Sequence, residues 1–353
     1  MSKKHSGRGA SLNPHNRFFK QKYSREHEEG IDLPPDEDAG RTTYLEVFPK
    51  TVVNKVTSPD VGMDFSINPY QGCEHGCVYC YARNSHEYWG YSAGVDFERK
   101  ILVKKNAVEL LKKKLDSKNW VPRPIVLSGN TDCYQPIERK LKITRSLLEV
   151  FREYHHPVGI ITKNALVQRD LDVLKDLAAD RLVKVNLSIT TLNEDLRRDL
   201  EPRTATIRQR LQTVEKLSAA GIPVGVMMAP IIPGLNSHEI LPLVKAVAER
   251  GALKVGYTMV RLNGQIGDIF EDWIRKTYPD RADKVMRQVA HAHGGKVRDS
   301  RFGTRMKGEG DYADMVKRTM SIARERYLKN GSFPEYNTRL FRRPPKGQLD
   351  LWE

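Results

Sequence analysis

The chain has 353 residues, 39% hydrophobic and 29% charged, enough for one large α/β domain with extensions. No apolar run of about 18 residues exists, which excludes a membrane-spanning helix, and Met1-Ser2-Lys3-Lys4-His5 lacks the apolar core of a secretion signal. Four cysteines, mostly bunched, argue against a disulfide scaffold and for a reducing cytoplasm, while a net charge of +15 favours a polyanionic partner, nucleic acid first, with general solubility as the plainer reading.

Residues 1–43 read as a basic arm followed by an acidic linker. Gly7-Arg8-Gly9-Ala10 and Asn13-Pro14-His15-Asn16 are loop chemistry. The stretch from Arg17 to Arg25 interleaves cations with aromatics, which suits phosphates and stacked bases. The same aromatics could instead pack on the core. Glu26 to Asp38, with Pro34-Pro35, is the linker.

From Tyr44 the pattern changes. Leu45-Glu46-Val47-Phe48 and the stretch to Val56 are strand-like, and Asp64 to Tyr70 leads as a strand into a cysteine loop. Helices are predicted over 107–115, 137–154, 169–179, 205–220 and 237–251, the last with Gly251 as its C-cap. Strands are predicted over 124–129, 158–162, 183–189, 224–229 and 253–260. Apolar strands separated by amphipathic helices imply a parallel sheet. With the strand before the cysteine loop this makes about six βα units over 44–264. Residues 265–332 are a helical extension, with helices at 270–278, 282–293 and 312–328 and a basic loop of Arg298, Arg301, Arg305 and Lys307. Residues 333–353, rich in proline and arginine, read as a flexible tail.

The cysteine loop, Gly72-Cys73-Glu74-His75-Gly76-Cys77-Val78-Tyr79-Cys80-Tyr81, carries Cys73, Cys77 and Cys80 at C-x3-C-x2-C spacing. One loop can therefore aim three thiolates at one centre. Three thiolates leave one iron of a [4Fe–4S] cube without a protein ligand, and that iron can take a chelating substrate. Tetrahedral zinc is the other reading, with His75 or Cys133 as fourth ligand.

With Tyr79 before its last cysteine, the loop resembles the signature of the radical SAM superfamily. That resemblance implies a partial (β/α)6 barrel, a [4Fe–4S] cluster, S-adenosyl-L-methionine at the open iron, and a reductant such as flavodoxin or ferredoxin. In parallel α/β barrels the chemistry sits at the C-terminal ends of the strands. There stand Ser128, Asn130 and Asp132, then Lys163, then Asn186 and Ser188, then Arg203, whose fork suits a carboxylate. At the fifth strand end, near Ile232, the family cradles adenine with backbone groups. The block Thr131-Asp132-Cys133-Tyr134-Gln135-Pro136-Ile137-Glu138 resembles the spore photoproduct lyase branch over about residues 45–262. The resemblance implies radical relay by Tyr79 and Tyr81 and offers Cys133 as hydrogen-atom donor. Cys133 follows the Thr-Asp pair, whereas the lyase cysteine precedes its acidic residue. The alternative for Cys133 is a buried small hydrophobe.

Gln348-Leu349-Asp350-Leu351-Trp352 resembles the pentapeptide by which bacterial polymerases and repair proteins bind the replicative sliding clamp, with Trp352 in place of the usual Phe. Gln348 would add hydrogen bonds, while Leu349, Leu351 and Trp352 fill apolar pockets. These readings converge on a radical SAM enzyme acting on nucleic acid, with DNA repair favoured and clamp recruitment implied. Radical modification of RNA or a ribosomal component is the second enzyme reading. An interaction protein with a redox-sensing cluster is the reading from another class.

Overall fold

The computed structural model describes residues 7–19, 41–328 and 331–345. Its main sheet holds β2 (Val53–Lys55), β3 (Phe65–Ile67), β6 (Ile125–Leu127), β7 (Val158–Thr162), β8 (Val183–Ser188), β9 (Val224–Ile231) and β10 (Lys254–Met259). The order is β10-β9-β8-β7-β6-β3-β2. Neighbours from β3 to β10 are parallel, and β2 runs antiparallel at the edge. The six parallel strands match the six βα units expected from the sequence. β8 shows how the sequence makes the wall: Val183, Val185 and Leu187 enter the main core, while Lys184, Asn186 and Ser188 alternate with them.

A second sheet was not foreseen. β1 (Thr43–Val47) pairs in parallel with β5 (Lys100–Lys104), which pairs antiparallel with β4 (Tyr70–Gln71). The strand-like stretch from Tyr44, counted within the barrel region 44–264, lies in this second sheet, while β3, in the strand expected to lead into the cysteine loop, joins the main sheet. β5 escaped notice because its apolar centre, Ile101-Leu102-Val103, is bracketed by lysines. The helix expected over 137–154 is two, Glu138–Leu141 and Ile143–Glu153, with Lys142 between them at φ 54°. The break has a cause: the buried Glu138 carboxylate turns back to accept the Thr144 amide and also takes Tyr70 and Arg169. Helix Ile240–Ala248 is capped at Glu249, and Gly251 forms the left-handed turn after it. Helix Glu194–Leu200, started by the Asn193 side chain, was not predicted. No helix of the described residues is long and apolar enough to cross a membrane.

Both ends of the chain are more fixed than their composition suggests. Residues 7–19 thread over the cysteine loop, with Ala10 and Asn16 buried. Lys20 to Asp38 lies outside the described residues. At the other end, 331–345 forms a strap across the N-terminal ends of the barrel strands rather than a free tail. Gly331 lies against the Leu253 carbonyl, the Asn337 amide bonds the Arg181 carbonyl, and Arg343 bonds the carbonyls of Leu115 and Ser117. Two strand glycines admit its aromatic rings. A Cβ on Gly159 would stand 3.2 Å from the Tyr336 hydroxyl, and one on Gly225 only 2.7 Å from Phe333 Cζ and 2.8 Å from Asn186 Oδ1. Lys184 sits 3.9 Å from the Tyr336 ring centre. The strap is therefore a plug for the barrel's lower end. Gly225→Val should displace Phe333 and destabilise the protein by about 1–3 kcal/mol. Adding Phe333→Ala should cost less than the sum of the two single changes, because the clash with that ring is then gone; urea unfolding of the four-protein cycle measures this.

Candidate functional site

The cysteine loop follows β4 and is shaped by two left-handed glycines, Gly72 (φ 81°) and Gly76 (φ 69°). Neither tolerates a side chain. A Cβ on Gly72 would meet the carbonyls of Lys100 and Phe97, and one on Gly76 would meet the Glu98 carboxylate at 2.8 Å. The loop backbone is held from every side. Cys73 N donates to Phe97 O (2.8 Å), Val78 N to Leu200 O (3.1 Å), Glu74 N to Gln135 Oε1 (3.0 Å), and Gln135 Nε2 to Gly72 O (3.2 Å). Arg83, fully buried, donates to the carbonyls of Cys77, Ala93 and Gly94 and pairs with buried Glu98 at 2.5 Å. Glu98 in turn accepts the amides of Gly9 and Ala10, so the arm closes over the loop.

Cys73, Cys77 and Cys80 are thus carried by one rigid turn, all free thiols. Burial raises all three thiols, with Asp132 adding to the effect at Cys73 and Glu201 at Cys77. Binding iron must displace these protons. Among the described residues no three His, Cys, Asp or Glu side chains converge on a single-ion site. A cubane makes no such demand, since each cysteine binds a different iron. The fourth ligands considered for zinc are committed elsewhere. His75 faces Asp132 (3.4 Å) and Asn164 (3.2 Å), and Cys133 lies in the main core. Soft thiol donors on one shaped loop, without a fourth, fit a [4Fe–4S] cluster.

The predicted strand-end residues divide into those the structure leaves available and those it employs in holding the site. Asn130 is exposed at the mouth. Tyr81 is exposed too, its hydroxyl on the Gly129 carbonyl and its ring 5.5 Å from the Arg261 guanidinium. Ser188 is buried at the end of β8. The others are engaged. Ser128 Oγ accepts the Cys133 amide. Asp132 accepts Thr162 Oγ1 and the Lys163 amide, both at 2.7 Å; burial opposes its charge, and His75 with these donors keeps its carboxyl low. Arg203 pairs with Glu74 of the cysteine loop at 3.3 Å. Ile232 has its amide on Asn236 Oδ1 and its carbonyl on two amides of the same turn. Asn186 lies below the mouth, beside Gly225 and Phe333 of the plug. Cys133 is completely buried, its carbonyl on Thr144 Oγ1, which matches the small-hydrophobe reading and removes it from the mouth. The basic loop is largely neutralised: Arg298 pairs with Asp268, Arg301 with Asp299 and Glu309, and Arg305 with Asp60. Gln348 to Trp352 lies outside the described residues.

Sequence reasoning missed the centre of the site, Glu201. This carboxylate is fully buried and accepts the Tyr79 hydroxyl, Thr190 Oγ1 (2.6 Å) and Arg210 (2.6 Å), with Lys163 at 3.9 Å. Burial works to raise its carboxyl, yet Arg210, then Lys163, with the two hydroxyls, hold it down at about 2. Tyr79 is thereby locked beneath the loop, its phenol raised by burial and by Glu201. No sequence signal marks Arg210, nine residues on and in a helix that reads as an ordinary amphipathic one.

The family model described as Radical SAM superfamily matches residues 67–247. An uncharacterized protein of Mycobacterium tuberculosis is 31% identical over 241 residues, 67% of this chain and 71% of its own. One from Methanocaldococcus jannaschii is 27% identical over 246 residues, 70% of this chain and 88% of its own. Among solved structures, a spore photoproduct lyase variant with bound AdoMet and dinucleoside spore photoproduct aligns with a TM-score of 0.58. The alignment covers 80% of this chain and 79% of that one at 17% identity, a likeness of fold.

Replacing Glu201 by Gln leaves Arg210 buried without its counter-charge and should cost about 3–5 kcal/mol in urea unfolding. The native carboxyl titrates below its unfolded value, so the wild type holds this stabilisation above about pH 5 and loses it as pH falls toward 2. Glu201→Gln should lack that part of the acid dependence.

Proposed function

The chain belongs to the radical SAM superfamily, and from that premise we propose that it acts on nucleic acid, most directly in repair of a damaged base in DNA. Its cofactors are a [4Fe–4S] cluster and S-adenosyl-L-methionine. Together, given one electron from an external reductant, these would supply a 5′-deoxyadenosyl radical, with release of methionine, to take a hydrogen atom from a substrate. The chain's residues do the rest. Cys73, Cys77 and Cys80 hold the cluster, and Arg83 and Glu98 keep their loop from moving. Lys163, loosely paired with Glu201, is a cation suited to the cofactor carboxylate. Tyr81, exposed beside the cysteine loop, suits a place beside the substrate, whereas Cys133 is buried. Arg261, whose charge burial and Arg305 oppose, donates to Met306 Sδ at 3.5 Å, lies over the Tyr81 ring and suits a phosphate.

The observation that carries this reading is a fold shared with spore photoproduct lyase across four-fifths of the chain, together with the charge of +15. The test uses anaerobic protein, dithionite and S-adenosyl-L-methionine with ultraviolet-irradiated DNA, intact DNA or RNA. Irradiated DNA should raise 5′-deoxyadenosine output and lose damaged bases, and Cys80→Ala should abolish both. Stimulation by RNA alone would transfer the reading to RNA modification. Binding to DNA should weaken steeply with salt, since bound cations are released from phosphates.

Recruitment by the sliding clamp is part of the same proposal. Arg343 anchors the strap at the carbonyls of Leu115, Ser117 and Trp120, away from the strand ends that form the mouth. Gln348, Leu349, Leu351 and Trp352 would be the clamp's contacts. Titration of purified clamp should give a Kd on the order of micromolar for the full chain, as few residues make the contact. A chain ending at Gly347 should not bind; equal binding by both would remove the tail as the ligand.

A further inference from the structure

The described part of the N-terminal arm ends beside the 3-10 helix Tyr81–Trp89, which directly follows the cysteine loop. Four aromatic side chains stand exposed there: Phe18 at 50%, Phe19 at 54%, Tyr88 at 72% and Trp89 at 40%. Phe18 and Tyr88 lie ring to ring with centroids 4.9 Å apart. The Arg17 guanidinium is 4.9 Å from the Phe18 ring centre and 6.0 Å from that of Tyr88. Phe19 reaches over Gly90, its Cζ 3.5 Å from where a Cβ would stand.

This patch is built rather than loose. Asn16, buried, donates Nδ2 to the carbonyls of Glu87 and Tyr91, and its Oδ1 accepts the Phe18 amide. Glu87 takes the Arg17 amide and guanidinium. Gln265, the N-cap of helix Ile266–Thr277, donates to both His15 O and Glu87 Oε1. Contiguous exposed aromatics mark an interaction surface, because solvating them opposes stability.

We propose that these rings form a stacking platform for unpaired bases, holding a single-stranded flank of the substrate beside the mouth, a reading that rests on the nucleic-acid function above. Rings with a guanidinium over them accept any base, because every base has a π face. Charge complementarity selects a nucleic acid over other apolar occupants. The Arg17 guanidinium lies over two of the rings, on a chain of net charge +15. The helix also links platform to mouth: it begins at Tyr81, against Gly129 and Arg261, and ends at Trp89. A duplex keeps its base faces covered, so the platform requires unpaired or extruded nucleotides.

The test is fluorescence anisotropy with full-length anaerobic protein and a labelled oligothymidylate of about twelve nucleotides, beside a duplex of equal length. The wild type should prefer the single strand. Phe18→Ala with Tyr88→Ala should weaken single-strand binding by about tenfold or more while leaving the salt slope, iron content and circular dichroism unchanged. Phe18→Tyr with Tyr88→Phe should restore it. Equal single-strand affinity in the alanine variant, or a wild-type preference for duplex, overturns the platform and leaves the nucleic-acid function standing. Binding of neither probe at low salt overturns both. A concentration-dependent dimer lost in the alanine variant, with single-strand affinity kept, would assign the rings to self-association and also overturn the platform.

Discussion

A buried ion pair, Arg83 with Glu98, is the constraint on which the cysteine loop depends. Burying two charges is costly unless every donor and acceptor is met. Here the guanidinium reaches three carbonyls besides its partner, and the carboxylate receives two amides from the arm. The pair therefore joins three separate stretches: the loop with its helix, the segment before β5, and residues 9 and 10. Gly9 and Gly76 make this possible, because the two backbones touch where a side chain on either would intrude. The loop is rigid because polar groups that could not be left unmet have only one set of partners.

A second buried pair, Glu201 with Arg210, does for the barrel side of the site what Arg83 does for the arm side. It fixes Tyr79 from below and holds Thr190 and Lys163 at the strand ends. The two pairs grip the cysteine segment between them. The groups left facing outward are Tyr81 and Asn130. The two ends of the barrel are treated differently. The mouth keeps polar side chains, while the opposite end is filled by Phe333 and Tyr336 against glycines on β7 and β9.

Charge and free charge are separate quantities in this chain. The surplus of +15 is a sum over the sequence. The loop with the densest arginines spends most of them on Asp60, Asp268, Asp299 and Glu309. Arg17 is shared between Glu87 and two aromatic rings. The arginines of that loop are therefore not free charges, whereas the Arg261 guanidinium bonds a sulfur, Met306 Sδ.

Local rules made much of this protein legible. The C-x3-C-x2-C spacing needs only one loop to bring its thiols together, so it could be read without a fold. The alternation of apolar strands and amphipathic helices needs only periodicity, and it led to six parallel strands. What sequence could not reveal was everything set by contacts between distant residues. Cys133 is sealed because Ser128 and Thr144 fold onto its backbone. Asn186 falls below the mouth because β8 ends two residues later. Arg203 is drawn to Glu74, across a separation that no spacing rule covers. Residues 331–345 become a plug because Gly159 and Gly225, unremarkable in their strands, leave room for two rings. Ligand type and strand period are properties of neighbours in the chain; depth, pairing and exposure are properties of neighbours in space, and only the tertiary structure decides those.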